Sequence, residues 1–167
     1  MLLRQALSDE RAAHGAALDV LPSTPTREQI ERLEGHLLDA EANGAGVHIE
    51  PLHHFADGQV SRTILIPAGT ILTGAAHKGA HLNVCFGDIT VWTEEGMKRL
   101  TGYHVIPSKA GAKRVGYAHR DTWWTSIHPN PTNETDIGAL ERLMVETPEA
   151  LQSNRLAGPQ SHQEKLS

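Results

Sequence analysis

Between Gly69 and Gly87 the chain reads GTILTGAAHKGAHLNVCFG, and this stretch constrains the fold more than any other. A strand-like apolar run precedes two histidines, His77 and His81, set four residues apart. An alternating run follows and stops at Gly87-Asp88, a dipeptide favoured in tight hairpin turns. Histidines framed by short strands predict a metal or small-ligand pocket inside a small barrel. A transition-metal site takes three to four protein ligands, so this pair needs help from elsewhere in the chain.

The neighbouring sequence continues in the same manner. Val60, Arg62, Ile64 and Ile66 share one face of a strand that ends at Pro67-Ala68-Gly69. His81, Asn83 and Cys85 share one face of the next, with Leu82, Val84 and Phe86 opposite. Ile89 to Trp92 pairs with Met97 to Leu100 across Thr93-Glu94-Glu95-Gly96, and further strands cover Val105-Ile106, Arg114 to Tyr117 and Thr122 to His128. Roughly eight short strands between Gly and Pro breaks indicate a sandwich, jelly roll or barrel over 47–130.

Helices flank this region. Residues 1–46 form a helical extension: Leu2 to Leu18 is rich in helix formers, and the segment at 21–26 breaks it. Thr26 with Gln29 then reads as a capping box, and Ile30, Leu33, Leu37 and Ala40 give a second helix one apolar face, ended by Gly44 and Gly46. This extension is either docked on the barrel or an oligomerisation arm. Residues 131–153 hold a C-terminal helix over Ile137 to Val145, with a further helical turn at Thr147-Pro148-Glu149. The polar tail 154–167 has too little apolar surface to order itself without a partner.

Composition excludes several functions. The net charge of −5 argues against a nucleic-acid surface, which is normally basic. No apolar run approaches the ~18 residues of a membrane span. The N-terminus becomes charged too early for a signal peptide, so secretion by that route is not expected. A single cysteine, Cys85, rules out an intramolecular disulfide framework and reads as a buried small hydrophobe. No nucleophile elbow, P-loop or dinucleotide fingerprint is present, so no catalytic residue is assigned.

The run PAGTILTGAAHKGAHLNVCFGDITV, followed by HVIPSKAGAKRVGYAHRDTWWTSIHP, resembles a cupin. More narrowly it is similar to small cupin-like proteins encoded by tailed phages and prophages, over about residues 51–141. The resemblance implies a mainly β protein, a jelly-roll double-stranded β-helix barrel with N-terminal helices and a short C-terminal helix. It also implies a bowl that often holds a metal through His-x-His, a downstream Glu or His, and a later histidine. Carried over residue by residue, His77 matches the second histidine of the pair and His81 the downstream ligand. The first histidine falls on Ala75, and Lys113 and Arg114 stand near the place of the last. His119 or His54 could fold in as the missing ligand. Lys113 and Arg114 are either a solvated strand edge or an anion contact, since a cation there would repel a divalent metal. His77 and His81 either bind a metal or line a pocket without one.

His128, beside Pro129, reads as structural. Trp123 and Trp124 alternate across a strand, one in the core and the other outward or at an interface, and Trp124 is assigned to the interface. Two functions compete. The first is a non-enzymatic structural or assembly protein, a virion component partnered by its own copies or by other virion proteins, found in the virion or the host cytoplasm. The second is a metal-dependent cupin enzyme, an isomerase or dioxygenase, acting on a small polar substrate with a divalent transition metal.

Overall fold

The computed structural model describes the backbone of residues 2–3 and all of residues 21–146. The expectations for 4–20, for the turn at 147–149 and for the tail lie outside these residues. Leu2–Leu3, expected to begin a helix, instead forms a two-residue strand β1 antiparallel to Leu72–Thr73.

Helix α1 spans Arg27–Ala40. The capping box predicted from Thr26 and Gln29 is present: Thr26 Oγ1 accepts from Gln29 N at 3.2 Å, and Gln29 Oε1 accepts from Thr26 N at 2.9 Å. Two otherwise orphaned donors are thereby satisfied. A short π-helical turn, Glu41–Ala45, follows and ends where Gly44 takes φ 85°. Ile30, Leu33 and Leu37 are buried against Ile71, Trp92 and Val115 on the outside of the barrel. Beneath them lies a buried ion pair: Lys113 Nζ meets Glu34 at 2.9 Å, and Thr73 Oγ1 donates to the same carboxylate at 3.1 Å.

The described strands after β1 are β2 (Leu52–Ala56), β3 (Gln59–Ile66), β4 (Ile71–Thr73), β5 (His81–Thr93), β6 (Gly96–Ser108) and β7 (Val115–Pro129). All pairings are antiparallel, and β7 is the hub, bonded to β3, β4 and β5. β2 and β3 join through Asp57-Gly58, with Gly58 at φ 72°, the preferred chemistry of a two-residue hairpin. The result is an antiparallel barrel of seven strands among the described residues, six of them within 47–130 where roughly eight shorter ones were expected.

The discrepancy arises mainly at Gly87. It was expected in a turn, yet β5 runs through it unbroken and pairs with β6 along its whole length. Gly87 sits at a register shift against β7. A Cβ there would stand 2.6 Å from Thr122 Cα, so the glycine serves close backbone approach at a bulge. Gly87→Ala is expected to cost about 2 kcal/mol, read as a lower urea midpoint at unchanged m-value. An unchanged midpoint would contradict the packing described.

Strand alternation sorts the side chains. Ile64, Ile66, Cys85, Ile89, Ala118 and Trp124 belong to the barrel core. Trp124, expected at an interface, is therefore an interior residue at 6 % exposure, and Trp123 is the outward partner at 42 %. On the outer face, Leu65 pairs with Trp123, Trp123 with Phe86, and Phe86 with Tyr103, an exposed apolar row crossing four strands. Helix α2, Ile137–Met144, is capped by Asp136, whose Oδ1 accepts from Ala139 N at 2.6 Å. Among the described residues no helix is long and apolar enough to cross a membrane.

Candidate metal centre

His81 opens β5, and His128 lies near the end of β7. Their strands pair at Leu82–Ile127, so both imidazoles emerge on the barrel's inner face at one end. His77 arrives from the loop after β4. That loop is clipped to the end of α2: Lys78 N donates to Met144 O at 2.8 Å, and Glu146 N to Ala76 O at 3.0 Å. The ring centroids lie 4.3 Å apart for His77–His81, 4.6 Å for His77–His128 and 4.5 Å for His81–His128. One nitrogen from each lies within 4.8 Å of the others.

The chemistry of the trio suits a metal. A tetrahedral ion with metal–nitrogen bonds near 2.0–2.1 Å needs nitrogens about 3.3 Å apart, which modest ring rotations can supply. His81 Nδ1 lies 3.1 Å from Gly79 O, and a carbonyl only accepts, so that nitrogen carries the proton and Nε2 keeps its lone pair. His77 Nδ1 is buried with no hydrogen-bond partner. Burial is the main cause holding His77 down to about 2, reinforced by His128 and His81. Burial likewise brings His128 to about 4, and His81 is lowered by burial and by Arg114 against the opposing bond to Gly79. All three are neutral at pH 7, the form that ligates a metal. Three imidazoles without a carboxylate favour zinc, copper, iron or nickel over magnesium or calcium.

Neutral burial has a consequence for stability. The folded values lie below the unfolded value near 6.5, so below that pH the unfolded chain binds more protons. The stability is fully present above about pH 6.5 and is lost as pH falls toward the folded values. Metal-free protein is expected to lose about 2 kcal/mol for each of His77 and His128 between pH 7 and pH 5. Urea unfolding at the two pH values measures it, and an unchanged stability would mean that the rings are not buried neutral.

His77 and His81 border a bowl that reaches into the barrel, walled by Leu72, Ile89, Val91 and Trp124. Arg114 lines it too, donating through Nη2 to Ser108 Oγ at 2.5 Å. The same hydroxyl accepts from Asn83 Nδ2 at 2.6 Å, while Asn83 Oδ1 accepts from Trp124 Nε1 at 3.1 Å and Ser126 Oγ at 2.7 Å. His77 and His128 also wall a second cavity beneath α2, with His53, Arg62 and Glu141.

The structure thus brings His77, His81 and Arg114 together but leaves the other expected residues elsewhere. His119 bonds Thr90 Oγ1 through Nε2 at 2.7 Å and meets Tyr117 edge-on. Ile89 and Val91 point into the bowl, so Thr90 and its partner His119 lie on the opposite face. His54 is exposed on β2, and its neighbour His53 is the one that turns toward the second cavity. Lys113 is engaged by Glu34 and is not among the residues that line the bowl. The third histidine is His128, which was read as structural. A signal existed in its parity with Trp124 and Ser126, but using it required knowing that β7 pairs with β5.

No protein-family model and no curated protein matches the chain. Solved structures do, at low identity. Among them are proteins described as containing a cupin domain. A cupin-2 domain protein from Shewanella frigidimarina aligns at TM-score 0.41 and 9 % identity, over 56 % of this chain and 92 % of its own. KdgF from Halomonas sp. aligns at 0.42 and 11 %, over 49 % and 81 %. Salicylate 1,2-dioxygenase from Pseudaminobacter salicylatoxidans aligns at 0.46 and 15 %, over 71 % of this chain and 36 % of the dioxygenase.

Proposed function

We propose that this protein is a metal-dependent enzyme of the cupin type acting on a small molecule in the bowl. The observation that carries this reading is the His77–His81–His128 cluster, three neutral imidazoles with nitrogens within 4.8 Å, one of them buried and unpartnered. Three protein ligands leave positions open, where a bound metal supplies Lewis-acid activation or oxygen binding. The chain's own part is to hold and desolvate the reactant. Leu72, Ile89, Val91 and Trp124 exclude water from the walls, and the Asn83–Ser108 bond fixes the polar side. The described residues that line the bowl include no carboxylate, so the reading places the chemistry at the metal. Elemental analysis and Zn²⁺ or Co²⁺ titration of the purified chain test it, with about one equivalent expected. A chain that takes up neither ion would sink the reading.

A second reading, an assembly component as the sequence resemblance implies, is favoured by the outer apolar row. At their exposures of 37, 42, 59 and 66 %, Leu65, Trp123, Phe86 and Tyr103 present roughly 400 Å². That is about half of what each partner contributes to a standard interface, and Leu82 and Val105 extend it. The occupant proposed is a second copy, face to face about a twofold axis, since a neutral apolar face is complementary to itself. Helix α1 is a poorer source of contact, because its apolar stripe is covered by the barrel. Sedimentation at tens of micromolar should show a dimer, and Phe86→Glu with Trp123→Glu should give a monomer that still binds Zn²⁺. A wild-type monomer at that concentration refutes this arrangement.

A further inference from the structure

Arg114 is the only side chain of fixed charge lining the bowl among the described residues. It stands close enough to His81 to oppose protonation of that ring. Its anchor is rigid: Ser108, Asn83, Trp124 and Ser126 are all buried, and they are joined by the hydrogen bonds given above. Yet no described carboxylate pairs with it. Glu95, whose charge reaches Arg114, bonds Lys109 at 2.9 Å instead. A guanidinium has five N–H donors in a fork matched to a carboxylate, and Ser108 takes only one polar contact from it.

We infer that the bowl takes a small organic carboxylate with an apolar body, its carboxylate held by Arg114 and its body against Leu72, Ile89 and Trp124. The inference rests on the metal reading for its full form. A dication on three neutral histidines and a guanidinium in the same water-poor bowl repel one another, and an anion between them offsets both charges. The walls decide the rest: the lining around Arg114 is mostly apolar, with Leu72, Ile89, Val91 and Trp124, so a solute entering it is favoured by an apolar body, which a hydrated inorganic anion lacks. Metal and carboxylate therefore help each other bind, and the coupling is reciprocal.

Isothermal titration of the full chain tests this with Zn²⁺ and benzoate, each with and without the other, in buffer free of other carboxylates. Benzoate is expected to tighten Zn²⁺ binding at least about fivefold, and Zn²⁺ to tighten benzoate by the same factor. Neutral benzamide should do neither. Arg114→Gln is expected to bind Zn²⁺ alone as well as wild type or better, since a repelling charge is gone, and to lose the coupling. Arg114→Lys keeps the charge without the fork and should retain a reduced coupling, and Ser108→Ala should weaken benzoate by loosening the anchor. Melting curves of each variant establish that it folds. Benzoate that binds Arg114→Gln as tightly as wild type, or benzamide that matches benzoate, overturns the inference and leaves the metal reading standing. Arg114-dependent benzoate binding by a chain that takes no Zn²⁺ keeps the carboxylate site and overturns the metal reading. Absence of benzoate binding with and without Zn²⁺ overturns the inference.

Discussion

Replacing His128 with alanine is expected to weaken Zn²⁺ binding at least about a hundredfold, with the barrel still folded. The ring is 6 % exposed and stacks on both His77 and His81, so its loss leaves two ligands where a stable site needs three. His77→Ala and His81→Ala should behave alike. His119→Ala and His54→Ala are the informative controls: His119 is occupied by Thr90 on the opposite face and His54 is exposed on β2, so both should bind Zn²⁺ as wild type does. Competition against a chromophoric chelator gives the affinities. If His119→Ala rather than His128→Ala abolishes binding, the assignment of the third ligand is wrong.

Glu34→Ala should destabilise the fold by about 3–5 kcal/mol, more than any surface charge could. The Lys113 side chain is 5 % exposed and that of Glu34 15 %, and the carboxylate also accepts from Thr73. Removing it strands a buried ammonium under α1. Breaking such a pair costs far more than the pair itself contributes, so Glu34→Leu with Lys113→Met should recover much of the loss. Chemical denaturation of the single and double variants checks this. Equal losses in both would mean that the site collapses for want of packing and not for want of a counter-charge.

How much of this was legible in the residues depended on the range of the signal. The capping box at Thr26 and the apolar face of Ile30, Leu33 and Leu37 are local, and they were read correctly. So were the two faces of β5, because a period of two assigns every residue once one is placed. Gly87-Asp88 misled because a glycine that permits a turn also permits a close approach, and only Thr122, 35 residues on, distinguishes them. The pair His77 and His81 could be found from its spacing. His128 could not, since nothing near it in sequence shows that β7 lies beside β5. The same ignorance exchanged the roles of Trp123 and Trp124: alternation separates them but does not say which faces inward. Lys113 and Arg114 are adjacent and chemically alike, yet one is held by a helix about 80 residues earlier and the other faces the bowl.

The clip between the His77 loop and the end of α2 also bears on how the site is made during synthesis. Lys78 and Ala76 are held by Met144 and Glu146, so the loop cannot settle until residues about 70 positions later have left the ribosome. At roughly 5–20 residues per second that is a delay of some 4–14 s. Until His128 has also left, the nascent chain offers from this site only the loose pair His77 and His81, too few ligands to hold an ion tightly. On the metal reading, an ion then enters a finished barrel instead of templating an unfinished one, and the wrong ion has little chance to be trapped early.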